Sequence, residues 1–207
     1  MKIAIIGTGN VGGALASNWA KHGHQIFLGV RDEQNFKGKN LLELDNISVH
    51  SIQDAGQMSD VILIAAAPQF TASIIETLGD IDDKIIIDAM NSIRTKPEGF
   101  NNSFEAIRKL KPNAALVKCF NTTGFENLQN PNYSGLGIDM FMAGDSEKAK
   151  KIASELARDA GFGECYDFGG EDKTELLENF ALSWINLAIM QGHGRNIAFK
   201  ILKREQN

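Results

Sequence analysis

Residues 1–13 read MKIAIIGTGNVGG, an apolar run that breaks into glycines at Gly7, Gly9 and Gly12. The isoleucine-rich segment 3–6 predicts a buried strand, and the residues after the glycines carry apolar side chains at helical spacing. A strand that runs through a GxGxxG turn into a helix is the context that a dinucleotide-binding site requires. We therefore predict such a site at this turn.

Each glycine has a separate task in such a turn. Gly7 permits the tight turn, Gly9 lets the backbone approach a pyrophosphate, and Gly12 lets the helix pack closely on the strand. The free amide groups and the positive end of the helix then face the phosphates. An ordinary strand–turn–helix is the alternative, and the sequence context favours the dinucleotide site.

The residues after the second predicted strand, 25–29, indicate which dinucleotide is bound. NAD sites carry an acid there, about 20 residues after the glycines, that binds the adenosine ribose. This chain has Val30, which cannot bind a ribose diol, and then Arg31, which can stack on adenine and pair with a 2′-phosphate. Asp32 acts in the opposite sense, because a neighbouring carboxylate weakens an anion site. NADP is favoured over NAD, and a solvated surface arginine is the alternative.

Length, charge and cysteine content limit the class of protein. The chain has 207 residues, a net charge of −5 and two cysteines, Cys119 and Cys165, without CxxC spacing. The charge argues against a nucleic-acid partner, and the cysteines indicate neither a disulfide framework nor a metal site. The longest apolar stretch, 180–190, is well short of the roughly 20 residues that span a bilayer. We expect no signal peptide, no membrane partner and a cytoplasmic location.

Strand-like runs alternate with helical patterns along most of the chain. After the first two, the predicted strands are 47–49, 61–66, 84–88, 115–120, 140–143 and 165–168. The later predicted helices are 70–78, 103–110 and 146–159, with irregular segments at 32–40, 91–102 and 122–137. This alternation predicts an α/β fold over residues 1–170: a doubly wound, mostly parallel sheet of the Rossmann type.

The ends of the predicted strands supply further candidate residues, because ligands of such sheets bind outside the carboxyl ends of the strands. Ala66 and Pro68 lie at the end of the fourth strand, where small side chains would let a dinucleotide lie against the backbone; tight packing is an equal alternative. Asn91 follows the fifth strand and offers a donor and acceptors, unless it only forms a turn. Residues 118–121 end the sixth strand, where a nicotinamide should lie. Cys119 by itself is typical of an inert buried thiol.

Residues 171–207 are predicted to form a C-terminal helical extension. Apolar side chains cover nearly all faces of its helix, with Phe180, Trp184, Leu187 and Ile189 on different sides. One sheet covers only one such face, so we expect a second subunit to cover another and predict a homodimer. Trp184 would then lie in the contact between subunits. Burial within a single chain is the alternative.

Seven segments together resemble a known family. In chain order they read GTGNVGGALA, GHQIFLGVRD, AAAPQ, DAMNSI, VKCFNTTGFENLQNP, MFMAGDSEKAKKIASEL and WINLAIMQGHGRNIAFKILKR. This order resembles the deazaflavin-type (coenzyme F420-dependent) NADP oxidoreductases. It is also similar to the cytoplasmic oxidoreductase domain of the six-transmembrane metalloreductases, without their membrane half. The resemblance covers nearly the whole chain.

The resemblance implies an NADP-binding domain that passes a hydride directly to a flavin or deazaflavin, and a dimer formed through the C-terminal helices. By the same resemblance, Thr8, Asn10 and Val11 contact the pyrophosphate and Arg31 contacts the 2′-phosphate. Ala66 and Pro68 would line the cofactor, and four residues would surround the nicotinamide: Asn91, Lys118, Cys119 and Phe120. Val30 stands where the family has a serine, which removes one hydrogen bond to the 2′-phosphate.

The sequence thus predicts an oxidoreductase that moves a hydride between NADPH and a flavin-like acceptor. Stacked rings suffice for that step, so no catalytic side chain is predicted. A small hydroxyacid or imine dehydrogenase is one alternative, with Lys173 and His193 as weak proton-donor candidates. A non-catalytic NADP-binding sensor is another.

Overall fold

The structure is a computed structural model that describes residues 1–204. In this part of the chain, the ten strands in order are β1 (Lys2–Ile6), β2 (Gln25–Val30), β3 (Ile47–Ser51), β4 (Val61–Ile64), β5 (Ile85–Asp88), β6 (Ala115–Cys119), β7 (Asn132–Tyr133), β8 (Leu136–Gly137), β9 (Met140–Ala143) and β10 (Cys165–Asp167). Eight of them form one sheet in the order β10-β9-β6-β5-β4-β1-β2-β3, while β7 and β8 form a hairpin. Neighbouring strands of the large sheet are parallel except β6 and β9. The prediction of a doubly wound, mostly parallel sheet is confirmed.

Helices cover both faces of this sheet. They are α1 (Asn10–Lys21), α2 (Ile52–Met58), α3 (Thr71–Leu78), α4 (Ser103–Leu110), α5 (Phe125–Gln129), α6 (Glu147–Asp159) and α7 (Thr174–Ile185). The apolar sides of α1 and α6 pack into one core layer, and those of α2, α3 and α4 into the layer on the other face. Strands buried between two helical layers explain the continuous apolar runs in β4 and β5.

The strand order places a topological switch point between β1 and β4. The chain proceeds from β1 to β2 and β3 on one side, then crosses to β4 and continues in the other direction. Diverging connections leave a crevice above the carboxyl ends of β1 and β4, where ligands of open α/β sheets bind. The glycine turn follows β1 and therefore lies at this crevice.

The start of α1 differs from the starts of three other helices. The side chains of Ser51, Asn102 and Ser146 accept hydrogen bonds from backbone amides in the first turns of α2, α4 and α6. Gly9 precedes α1 and supplies no side-chain cap. The first amide groups of α1 are thus left for another acceptor.

Two segments predicted to be irregular contain short regular elements. Residues 122–137 include α5 and the β7–β8 hairpin, and a 3₁₀ turn, Lys39–Glu43, begins within residues 32–40 and extends beyond them. The sequence analysis did not predict α2 either, which occupies seven of the nine residues that connect β3 to β4. These elements are too short for a periodic apolar pattern to become visible.

The tail is helical only in its first part. A π-helical turn, Asn186–Met190, follows α7, and no regular element is assigned from Gln191 to Arg204. The Trp184 ring is 3% exposed, and its Nε1 donates to the carbonyl oxygen of Ile197 at 2.7 Å. The prediction that Trp184 lies between subunits is therefore wrong, because the returning chain covers this side chain within the protomer.

The returning segment is held along its length. Asp139 accepts from the Lys200 ammonium at 2.7 Å and from the Ile201 amide at 2.8 Å, and the Phe199 ring packs 4.5 Å from that of Phe180. None of the helices within residues 1–204 combines the length and the apolar character that crossing a membrane demands.

Candidate functional site

The glycine turn has the geometry that its sequence predicts. Gly7 has φ of 102°, and a Cβ there would lie 2.6 Å from the carbonyl oxygen of Ala65. At Gly12 a Cβ would lie 2.0 Å from the carbonyl oxygen of Gly7, so the helix can approach the strand only without a side chain. A Cβ at Gly9 would meet nothing within 4 Å. The absence of a side chain at Gly9 keeps open the space in front of the α1 amides.

A cleft of about 390 Å³ begins at this turn and runs along α1. Thr8, Gly9 and Asn10 line one end, and Lys37 and Gly38 belong to the flanking loop. The side chain of Val11 instead packs against the core layer under α1. Among the three residues that the resemblance assigns to the pyrophosphate, Thr8 and Asn10 therefore border open space, and Val11 offers only its backbone.

Arg31 is exposed at the carboxyl end of β2. Its guanidinium carbon lies 5.5 Å from the centroid of the Phe70 ring. The carboxylate of Asp32 accepts hydrogen bonds from the amides of Gln34 and Asn35. Asp32 is thus committed to the loop backbone, which reduces its opposition to an anion beside Arg31.

Ala66 and Pro68 lie directly across the crevice from the glycine turn. The amide nitrogen of Ala66 would be 2.8 Å from a Cβ on Gly7, so the two chain segments are in close contact. Ala66 is half-buried, while Pro68 is buried at the start of a 3₁₀ turn, Pro68–Phe70. Ala66 therefore borders the crevice, and Pro68 mainly shapes the turn above β4.

Asn91 and Asn121 form a reciprocal amide pair beyond the ends of β5 and β6. The Nδ2 of Asn91 donates to the carbonyl oxygen of Asn121 at 2.6 Å, and the Nδ2 of Asn121 donates to Oδ1 of Asn91 at 2.9 Å. Asn91 is half-buried, and Asn121 is buried with its Oδ1 lacking a hydrogen-bond partner in the described chain. The pair locks two strand ends together where the nicotinamide was expected.

Lys118 does not line this region. Its side chain is fully buried, and its ammonium group donates to the Asp88 carboxylate at 2.9 Å and the carbonyl oxygen of Met90 at 3.0 Å. Glu178 of α7 completes the network at 2.8 Å. The Lys118 side chain cannot border a nicotinamide, because the alternation of β6 turns it into the core on the side of Leu116. Only the backbone of Lys118 can contribute to the predicted nicotinamide site.

The charge state of Lys118 follows from the same contacts. Burial alone lowers the pKa of a lysine, but the charges and hydrogen bonds of Asp88 and Glu178 outweigh it, so the pKa of Lys118 is raised above 10.5. Lys118 therefore stays protonated at neutral pH, held between two carboxylates, and does not release its proton to a substrate.

The side chains of Cys119 and Phe120 are also buried. The Cys119 side chain is fully buried, and burial raises the pKa of its thiol well above 9.0. The Phe120 ring is 1% exposed and packs edge-on against Trp19 at 5.5 Å. Both side chains belong to the core, so only their backbone can border a nicotinamide. The φ of 67° at Phe120, unusual for a bulky residue, turns the chain sharply before Asn121.

The accessible candidates at the crevice are therefore an arginine, an amide and small residues. Within residues 1–204 there is no group of three or more His, Cys, Asp or Glu side chains placed to hold a metal ion. A lining of this kind can bind phosphates and orient rings. Proton transfer would need a group from elsewhere.

Phe70 is the residue near the candidate site that the sequence analysis did not single out, and Asn121 appeared there only as the last residue of the segment 118–121. Asn121 directly follows a predicted strand. This position at the carboxyl edge of the sheet indicates that its side chain either contacts a ligand or pairs with a neighbouring strand end. Phe70 was assigned to the predicted helix 70–78, and no pattern in the sequence indicated that it would stand 45% exposed beside Arg31.

Comparisons with known proteins find similarity to one family of oxidoreductases. Residues 2–92 match the family described as NADP oxidoreductase, coenzyme F420-dependent. The F420-dependent NADP reductase of Methanocaldococcus jannaschii is 27% identical, over 91% of this chain and 93% of that protein. The enzyme of the same name from Methanothermobacter thermautotrophicus is also 27% identical, over 97% of this chain and 94% of the relative.

The fold has a close counterpart among solved structures. A candidate F420-dependent NADP reductase from Arthrobacter sp. FB24 superposes with a TM-score of 0.84 over 98% of this chain and 100% of its own. At 23% identity this likeness shows a shared fold.

Proposed function

We propose that the chain is a coenzyme F420-dependent NADP oxidoreductase, of the family that residues 2–92 match, and that it transfers a hydride between NADPH and a deazaflavin or flavin. The observation that carries the proposal is the open position at Gly9. It gives a pyrophosphate access to the uncapped amides of α1 at the switch point of the sheet.

The residues around the turn fit NADPH. The backbone at Gly9 and the first amides of α1 would hold the pyrophosphate, with Thr8 and Asn10 beside it. Arg31 would pair with the 2′-phosphate through its planar guanidinium. Val30 is buried and apolar, so Arg31 makes this selection without a hydroxyl from the preceding residue.

The nicotinamide half would cross the ends of β4, β5 and β6. Ala66 and Asn91 would border it, and the amide pair of Asn91 with Asn121 would keep that border rigid. When bound, NADPH would supply a hydride that carries both electrons to the acceptor ring, and solvent would supply the proton that completes reduction of the acceptor. A border of small and amide groups suits this reaction, because stacking at near-attack distance is the main requirement.

A homodimer and a cytoplasmic location are further parts of the proposal. The apolar side chains that support the dimer are Leu182, Ile189 and Met190, which are 38%, 47% and 68% exposed on the tail. Sedimentation of the protein at tens of micromolar tests the homodimer, and a monomer would exclude it.

Two free cysteines, typical of a reducing compartment, support the cytoplasmic location. We retain residues 171–207 as the dimerising extension of the NADP-binding domain.

The experiment that tests the function is a turnover screen. NADPH oxidation is followed with coenzyme F420, flavin mononucleotide, flavin adenine dinucleotide and a quinone as acceptors. We expect oxidation with the deazaflavin or a flavin. NADPH binding without oxidation by any acceptor would indicate a sensor, and oxidation only with a keto acid or imine would indicate a dehydrogenase.

A further inference from the structure

Arg31 and Phe70 form a contact across the carboxyl edge of the sheet. Arg31 follows β2 and Phe70 follows β4, and their separation of 5.5 Å is within the range of a cation–π contact. We propose that Phe70 is a positioning residue that holds Arg31 where it recognises the 2′-phosphate of NADPH. This inference rests on the proposed function and adds a residue that determines its cofactor specificity.

The neighbours of Arg31 in the sequence do little to fix the position of its side chain. Val30 is buried and offers no polar group, and Asp32 is bonded to the backbone of the following loop. An exposed arginine samples many rotamers, and a contact that selects one of them reduces the entropy lost when the phosphate binds.

Phe70 is itself well fixed. Its amide donates to the carbonyl oxygen of Ala67 at 3.0 Å, and its carbonyl oxygen accepts from the Ser73 hydroxyl at 3.0 Å. The turn that carries it begins at the buried Pro68. The ring is therefore presented from a rigid element, whereas Arg31 begins a loop.

The distance between the two side chains distinguishes between two roles for Phe70, stacking on the adenine and supporting Arg31. An adenine inserted between them would need two carbon contacts of about 3.5–4.0 Å each, about 7–8 Å in total. The observed 5.5 Å leaves no room for that ring. Phe70 therefore backs the guanidinium on one face and leaves its other face and its edge for the nucleotide.

The test is a double-mutant cycle with NADPH and NADH. Dissociation constants of both cofactors are measured by calorimetry for the wild type, Phe70→Ala, Phe70→Tyr, Arg31→Ala and the double variant Arg31→Ala/Phe70→Ala. Leu110→Ala is the matched control, because Leu110 is similarly exposed at 42% but ends α4 at the opposite edge of the sheet.

We expect Phe70→Ala to weaken NADPH binding about two- to fivefold, the factor of a solvent-exposed cation–π contact, and to leave NADH binding unchanged. Phe70→Tyr should restore the wild-type preference, and Phe70→Ala should have no further effect once Arg31 is removed. Equal losses for NADPH and NADH, persisting in the Arg31→Ala background, would overturn the inference, because Phe70 would then contact the adenosine itself.

A Phe70→Ala variant whose dissociation constant for NADPH equals that of the wild type would also overturn the inference. If the wild type binds NADPH selectively and Arg31→Ala removes the selectivity, either result leaves the proposed function standing. A wild type that binds no NADPH would overturn both.

Discussion

Lys118 Nζ lies 2.8 Å from Oε1 of Glu178, although one residue belongs to a central strand and the other to the C-terminal helix α7. The other oxygen of Glu178 accepts from the Ser92 amide at 3.2 Å, and the same lysine binds Asp88. The network ties α7 to the loop that carries Asn91. It makes the C-terminal helix part of the support of the candidate nicotinamide site.

Replacement of Lys118 tests this support. Lys118→Met would leave two buried carboxylates without their cation, which costs about 3–5 kcal/mol, or roughly 6–20 °C in Tm for a chain of this size. Thermal unfolding followed by circular dichroism measures the loss. Lys109→Met, on the exposed face of α4, is the control and should leave Tm within about 2 °C. A Lys118→Met protein as stable as the wild type would refute the network.

Substitutions of the glycines in the turn are predicted to have different effects on stability and on NADPH binding. Gly9→Val should fold with a Tm close to that of the wild type, because a Cβ there meets nothing within 4 Å, but should lose NADPH binding because the side chain occupies the pyrophosphate space. Gly12→Ala should lower Tm, because its Cβ would lie 2.0 Å from a carbonyl oxygen. Gly13→Ala, where the nearest atom would be 3.8 Å away, is the control for both. Calorimetric binding of NADPH to folded Gly9→Val would place the site elsewhere.

Arg31 should account for the cofactor preference. A charge-assisted contact to the 2′-phosphate contributes about 1.5–3 kcal/mol, so Arg31→Ala should weaken NADPH binding roughly 10- to 150-fold and NADH binding little. The guanidinium is exposed, which favours the lower part of this range. Equal affinity of the wild type for NADPH and NADH would contradict the assignment.

Acid pH should release the anchor between the tail and α5. Partial burial alone would raise the pKa of Glu126, but the hydrogen bond and charge of Arg195 outweigh it and hold the pKa below 4.5. Because the folded pKa is lowered, this pair stabilises the protein above about pH 4.5 and loses its contribution as the pH falls through the folded pKa.

The comparison of wild type with Glu126→Gln measures that contribution. Arg195 is 41% exposed, so the contribution should be about 0.2–1 kcal/mol and the difference in Tm no more than about 4 °C at pH 7. The difference should shrink between pH 5 and pH 3. A difference that grows on acidification would contradict the sign of the pKa shift.

The main strands and the glycine turn could be predicted because their signals are local. Continuous apolar runs mark β1, β4 and β5, and three glycines at fixed spacing mark the turn. The short helix α2 and the antiparallel orientation of β9 could not be predicted. Seven residues show too little periodicity, and strand direction depends on the path of the whole chain.

The sequence predicts which candidate residues lie at the carboxyl edge of the sheet, but not which of their side chains point into the core. Arg31, Ala66 and Asn91 follow β2, β4 and β5 at the carboxyl edge, and their contacts with a cofactor stay predictions. Lys118 and Phe120 also lie at this edge, but their side chains turn into the core. Which face of β6 a side chain occupies depends on strand register, and the carboxylate that attracts Lys118 lies 60 residues further along the chain, on a helix whose docking the sequence does not reveal.

The most direct test of hydride transfer follows the hydrogen itself. NADPH deuterated at both C4 positions of the nicotinamide is mixed with the protein and coenzyme F420, and the reduced deazaflavin is analysed by mass spectrometry. Direct transfer between stacked rings predicts one deuterium per reduced molecule, in water of natural abundance, and a primary isotope effect on the rate. Reduced deazaflavin without deuterium, or NADPH bound and never oxidised, would contradict the account.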